Sequence, residues 1–323
     1  MRKSLAGLLT GLALLGFGAG QVAAQDNYPN RPVKITIAFP VGGLLDTVSR
    51  IVGEKMSGLL GQQFIIEARP GAGGTLATAA VAKADPDGYT LMMINDNHAL
   101  NPSVFKNIPY DSVKDFAPIG FVGSTPLVLA AHPTIPAKDV KSLVALARKD
   151  PGAITYASVG VGSASHLAGE MLGGVADVKL QHVPYRGGAP ALIDLLAGHV
   201  KTMFLSPVIS LQNVQNGKLT GLALAANKRL EILPNLPTMA EAGYPVEASY
   251  WFGLVAPAGT PPAVLTKLEK ALADTLAMPD VRKRLTEMGA IIEPLNGNQF
   301  GGYIRSEITK WAEIVTKANV KPE

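Results

Sequence analysis

Val33 Lys34 Ile35 Thr36 Ile37 Ala38 Phe39 Pro40 Val41 Gly42 Gly43 Leu44 Leu45 Asp46 Thr47 Val48 reads as a strand, a glycine turn and the start of a helix. Val33, Ile35, Ile37 and Phe39 alternate with Lys34, Thr36 and Ala38, the period of two of a strand with one buried face. Pro40 to Gly43 break the alternation. From Leu45 the apolar positions are Val48, Ile51, Val52, Met56 and Leu59, whose spacings of three and four place them on one helical stripe.

The same order returns twice. Ile154, Tyr156 and Ser158 lead into Gly160, Val161, Gly162 and Ser163, then a helical run through Leu167, Met171 and Leu172. Leu180 to Tyr185 leads into Arg186, Gly187, Gly188, Ala189 and Pro190, then Leu192, Leu195 and Leu196. Strands alternating with helices predict an α/β fold with largely parallel sheets. The C-terminal third reads as helical. Thr260 suits an N-cap ahead of Pro261, with Val264, Leu265, Leu268, Leu272 and Leu276 following, and a last helix carries Phe300, Ile304, Ile308, Trp311 and Ile314 or Val315 as core residues. Prolines and glycines between Pro234 and Gly259 mark a crossover between domains. No internal repeat stands out.

Arg2 and Lys3 precede an apolar, uncharged run from Leu5 to Gly20, followed by Val22, Ala23 and Ala24. That is the pattern of a secretory signal peptide cut after Ala24, with an uncut anchor helix as the alternative. The chain has no Cys, which excludes disulfides, thiolate chemistry and lipid attachment at a cysteine. Without residues 1–24 the 29 basic residues lose two and the 25 acidic ones none, so the mature charge is +2. No basic stripe with interleaved aromatics exists, so nucleic acid is discarded as a partner. The remaining 299 residues suit two domains.

A glycine turn entering a helix presents unpaired N–H groups and a partial positive charge, which makes it an anion site. Three such turns occur here, and Ser163, Ser165 and His166 could supplement the amides of the second. Asp46, in a first helical turn, reads as a macrodipole complement or cap. Sharper chemistries fail on spacing. Leu76 spoils the dinucleotide fingerprint begun at Gly71, no Walker lysine follows a glycine loop, and the five histidines hold no zincin pair. No cofactor or metal is expected. Ser163 and His166 share a helical spacing that invites a nucleophile-and-base reading, but Val161 and Ser165 stand where a nucleophile elbow needs glycine.

The chain resembles the tripartite tricarboxylate transporter receptors, the Bug or TctC type of periplasmic solute-binding protein. The resemblance is carried by Tyr28 Pro29 with Arg31 Pro32, Phe39 Pro40 with Gly42 Gly43 and Asp46, Arg69 to Gly74, and Pro86 Asp87 Gly88 Tyr89 Thr90. Asn101 Pro102, Pro109 Tyr110 Asp111, Asp115 to Pro118, Tyr156 Ala157 Ser158, Ser165 to Glu170, Val183 Pro184 Tyr185, Trp251 Phe252 Gly253 and Ala256 to Pro261 extend it over the mature chain. It implies a periplasmic-binding-protein-like fold of type II, with two α/β domains closing on a ligand between them. The division expected is 25–127 with 250–323 for one domain and 128–249 for the other. It further implies a small carboxylate ligand and, as partners, one large and one small membrane transporter subunit, with the receptor a monomer and not an enzyme. The ligand residues implied are Val41, Gly42, Gly43, Leu44, Asp46, Asn95 and Asn97 on one side and Ser158, Gly162, Ser163, Ser165, His166, Tyr185 and Leu205 on the other.

Leu44, Leu45 and Leu205 stand where the resemblance leads one to expect small or polar residues. They predict a pocket more apolar than a citrate site, suited to an aromatic or medium-chain dicarboxylate. A ligand-presenting subunit of a membrane receptor kinase and a secreted serine hydrolase using Ser163 and His166 are the rival readings.

Overall fold

The computed structural model describes residues 27–185 and 187–317. The expected signal peptide and its cleavage point lie outside them, as do Arg186 and the last six residues. From the N-terminus the chain forms β1 (Val33–Ile37), α1 (Leu44–Leu60), β2 (Phe64–Ala68), α2 (Thr75–Ala82), β3 (Thr90–Asn95), α3 (Asn97–Val104) and β4 (Phe116–Pro126). It continues through β5 (Val128–Ala131), α4 (Val140–Lys149), β6 (Thr155–Ser158), α5 (Ala164–Ala176), β7 (Gln181–Pro184), α6 (Gly188–Ala197), β8 (Thr202–Leu205), α7 (Pro207–Gln215) and β9 (Thr220–Leu224). It ends with β10 (Ser249–Pro257), α8 (Pro262–Ala277), α9 (Pro279–Glu287), β11 (Leu295–Asn296) and α10 (Gly297–Lys317). All three predicted strand–turn–helix units are present.

Two sheets organise these elements. The first has the order β11-β4-β10-β3-β1-β2 and the second β7-β6-β8-β5-β9. We call each sheet with its helices a lobe. The sheets are mixed, not largely parallel. β1 pairs in parallel with β2 and β3, and β6 with β7 and β8, whereas β10, β4 and β5 pair with their neighbours antiparallel. The parallel half of each sheet comes from the strand–turn–helix units. The antiparallel half comes from strands that carry the chain between lobes.

β1 also departs from the one-sided burial its alternation predicts: Thr36 and Ala38 are buried as well as Val33, Ile35 and Ile37. The strand lies between β2 and β3 with apolar clusters on both faces, the usual fate of a parallel strand. At the C-terminus Phe300, Ile304, Trp311 and Val315 are core residues as expected. Glu307 between them accepts from both Trp251 Nε1 and Trp311 Nε1 at 3.1 Å. Thr260 is not the cap of α8. Its hydroxyl donates to Pro257 O at 2.8 Å, Pro261 holds the cap position, and Pro262 is the first helical residue.

The chain passes between lobes twice, and the two passages lie side by side. Leu127 N–H donates to Ala248 O (2.9 Å), Ala225 N–H to Leu127 O (2.7 Å) and Ala248 N–H to Ala225 O (3.1 Å). One apolar cluster runs across this junction, from Trp251 and Phe300 to Leu129, Leu167 and Phe204. Among the described residues no helix is long and apolar enough to cross a membrane.

Candidate functional site

The glycine turns before α1 and α5 are built alike. In the first, Val41 precedes Gly42 (φ +86°) and the N-cap Gly43; in the second, Val161 precedes Gly162 (φ +71°) and the N-cap Ser163. Both N-caps are extended, at φ −79° and −77°. A side chain four residues on closes each turn. Gly42 N–H donates to Asp46 Oδ2 at 2.9 Å, and Gly162 N–H donates to His166 Nδ1 at 3.0 Å. The common pattern is valine, glycine, a small residue, two others and an acceptor, spelled Val41 Gly42 Gly43 Leu44 Leu45 Asp46 and Val161 Gly162 Ser163 Ala164 Ser165 His166. It is a short internal repeat that the sequence reading passed over.

This geometry divides the expected site residues into those that hold the turns and those that present donors. Asp46 is buried and also bound by Arg50, whose Nε donates to Oδ2 at 3.0 Å while Nη2 lies 2.9 Å from Oδ1. That guanidinium, above all, holds the carboxyl below the usual carboxylate range. Gly42 N–H, expected to face a ligand, is therefore already used. The N–H groups of Val41, Gly43, Leu44 and Leu45 have no partner among the described residues, because the first turn of a helix offers none and no side chain caps α1.

In the second turn the hydroxyls are consumed internally. Ser163 Oγ donates to Gly160 O at 2.7 Å, so Ser165 Oγ donates in the 3.1 Å contact between the two hydroxyls, and Ser165 Oγ accepts Val159 N–H at 3.1 Å. Ser158 Oγ donates to Gly160 O (3.0 Å) and meets His182 Nε2 at 2.7 Å. Among the described residues, the donors left without a partner are the N–H groups of Val161, Ala164 and Ser165. His166 stacks on His182 with centroids 3.9 Å apart, and the ring of Tyr156, whose hydroxyl donates to Glu170, lies near-parallel to both, 4.9 Å from His182 and 6.4 Å from His166. Burial and the neighbouring imidazole push His166 down to about 4, and burial does the same to His182. A neutral ring is what the Gly162 bond requires, since a doubly protonated imidazole has no acceptor.

The hydrolase reading needs a His166 ring nitrogen on Ser163 Oγ. Instead Nδ1 accepts Gly162 N–H, Nε2 lies 3.9 Å from Glu170, and the group that reaches Ser163 Oγ is the backbone N–H of His166, at 3.3 Å.

The second turn packs against the end of α3, and so does the glycine segment before α2. A β-carbon on Gly162 would lie 2.7 Å from Val104 of the first lobe; one on Gly73 would lie 2.9 Å from Phe105, and one on Gly74 3.0 Å from Ala38. Asn95 and Asn97 line a small cavity with Ala38, Gly73 and Gly74, and Asn95 Nδ2 donates to Asn97 Oδ1 at 3.2 Å. The third turn abuts the second, with Gly188 against Val159 and Gly160 against Tyr185 O.

Tyr185 and Leu205 are turned elsewhere. Tyr185 hydroxyl donates to Asp194 Oδ2 at 2.7 Å within the second lobe. Leu205, 3% exposed, packs with Met203, Leu195 and Ala191 in that lobe's core. Leu45 is likewise a core residue, so Leu45 and Leu205 do not line an apolar cleft, whereas Leu44 is half-buried against the same cluster. Their positions follow ends of strands and starts of helices, where spacing alone does not tell which face is covered.

Asp96, which the sequence reading did not single out, stands between Asn95 and Asn97 and is fully buried. Oδ1 accepts from Asn95, and Oδ2 has no partner among the described residues. Burial, with Glu307 as a lesser contributor, pushes its carboxyl up to about 8.

The family model described as the tripartite tricarboxylate transporter family receptor matches residues 48–320. Protein BugT of Bordetella pertussis is 32% identical over 314 residues, covering 96% of each chain. The solved structure of R. palustris Rpa4515 with adipate superposes with a TM-score of 0.84 at 30% identity, covering 92% of this chain and 100% of that one. MatC (Rpa3494) from Rhodopseudomonas palustris with bound malate gives a TM-score of 0.78 at 34% identity, covering 89% and 100%. The chain belongs to the tripartite tricarboxylate transporter receptor family of periplasmic solute-binding proteins.

Proposed function

We propose that this receptor captures a small organic carboxylate between its lobes and delivers it to membrane transporter subunits, one large and one small, acting as a monomer and without making or breaking a bond. The observation that carries the reading is the pair of matched turns, one on each lobe, that leave main-chain N–H groups unspent at helix N-termini. Amides fixed in place replace the water around a carboxylate without reorganising. Relatives solved with adipate and malate support the ligand class.

The lobes divide at the paired passages near Leu127 and Ala248, giving 25–127 with 250–323 and 128–249, and closure about them is the signal the membrane subunits read. Export removes residues 1–24, which intact mass of protein purified from the periplasm tests directly: the first residue is Gln25. A thermal-shift screen of mono-, di- and tricarboxylates on the same protein tests the function, because a ligand that binds only the folded state raises its melting temperature. If no carboxylate moves the transition, the proposal fails.

A further inference from the structure

Each turn carries one large apolar side chain that the fold leaves in the open. Val41 is 66% exposed and Val161 is 45% exposed. Both stand two residues before the N-cap, immediately before a glycine with positive φ, and both belong to the turns whose amides are unspent. Leu45 and Leu205 are packed into the lobes' cores, whereas these two valines expose apolar surface beside those amides. We infer that Val41 and Val161 are the residues that select the body of the ligand, so that the receptor prefers a carboxylate with an unhydroxylated hydrocarbon chain to a hydroxylated acid of the same length.

The inference rests on the carboxylate reading above and refines it. An amide ring beside a valine grips charge at one point and offers no hydrogen bond next to it. A ligand hydroxyl laid against those methyl groups loses water and gains no partner. A methylene laid there is removed from water instead, which strengthens binding roughly four-fold per group. Gly162, the next residue after Val161, is the one that packs against Val104 of the first lobe.

The test is calorimetry on protein purified from the periplasm, with succinate against malate, which differ by one hydroxyl, and with glutarate and adipate to extend the chain. Wild-type protein is expected to bind succinate about ten-fold tighter than malate and to gain affinity with chain length. Val41→Thr and Val161→Thr keep the branched shape and add a hydroxyl acceptor, and each is expected to lower the succinate-to-malate ratio several-fold. Unliganded melting temperatures of the variants, expected to match wild type at such exposed positions, show that the fold is kept. Equal or tighter binding of malate by wild type, or an unchanged ratio in both Thr variants, overturns the inference while leaving the carboxylate reading intact. Binding of none of these acids, nor of any in the wider screen, overturns both.

Discussion

The turns before α1 and α5 share a backbone shape but are locked by acceptors of opposite character: Asp46 accepts Gly42 N–H as an anion backed by Arg50, and His166 accepts Gly162 N–H as a neutral ring pressed against His182. The first lock is charge-assisted and the second is bought by burial. The comparison teaches that one backbone geometry, a left-handed glycine before an extended N-cap, can be reached by two side-chain chemistries. What the lobes have in common is therefore the amides they leave free. Their surroundings differ too, since the second turn is wedged against Val104 and the first has open space at Gly42.

The steric difference predicts the largest effect. Gly42→Ala and Gly162→Ala both place a β-carbon at positive φ, costing about 1–2 kcal/mol. At Gly162 the new carbon also meets Val104 at 2.7 Å, which adds about 1–3 kcal/mol of overpacking. Urea denaturation of the two variants should separate them by that margin; equal losses would mean that the lobes do not press together there in solution. Asp46→Ala, which strands Gly42 N–H beside an unpaired guanidinium, should cost about 2 kcal/mol. His166→Leu, which strands Gly162 N–H but leaves no unpaired charge, should cost about 1 kcal/mol of hydrogen-bond energy. A reversed order in the same assay breaks the distinction between charged and neutral locks.

Acid sharpens it further. His166 titrates lower in the fold than in the unfolded chain, so the stability it lends is complete above about 6.5 and is lost as pH falls toward about 4. Asp46 is also lowered, so its contribution survives until the pH drops below the ordinary aspartate value. The second turn should therefore loosen first, seen as a decline in melting temperature between pH 6.5 and 4 that shrinks in His166→Leu. Asp96 works in the opposite sense, since a carboxyl raised to about 8 lends stability at low pH that is lost between about 4 and 8. An Asp96→Asn background removes that slope, leaving a decline shared by His166 with His182 and His98, which burial also pushes down to about 4, so the share of His166 is the part lost in His166→Leu. The smallest effect is expected from Arg50→Gln. The half-exposed guanidinium contributes about 0.5 kcal/mol, and its loss should let the Asp46 carboxyl rise toward the ordinary range in a carbon-detected NMR titration.

Much of this architecture was legible in the residues. Alternation through Val33 to Phe39 and the three-and-four spacing from Leu45 locate β1 and α1, because both periods are local. The three helix mouths were legible for the same reason. Antiparallel pairing of β10 was not, since its direction is set by a return from the other lobe and not by its own composition. Neither was the fate of the serine hydroxyls. Ser158, Ser163 and Ser165 look like ligand donors in a polar turn, but they lie close enough to satisfy one another and the turn's own carbonyls. Tyr185 and Leu205 are implied as ligand residues by the family resemblance, which carries positions but not the hydrogen bond to Asp194 or the core packing that their side chains make here. Asp46 and His166 were noticed for their charge, while their spacing from Gly42 and Gly162, visible in both hexapeptides, carries their structural role.

The placement of β10 between β4 and β3 also dictates an order of assembly. Residues 249–257 are made after the whole second sheet, so until they arrive β3 and β4 lack the neighbour that joins them and the first sheet stays in two pieces. The second sheet is drawn from one uninterrupted run, residues 128–224, and needs no later strand to complete its ladder. A nascent chain can finish the smaller body early, whereas the larger one waits on pairings made across more than a hundred residues, the slow kind of contact.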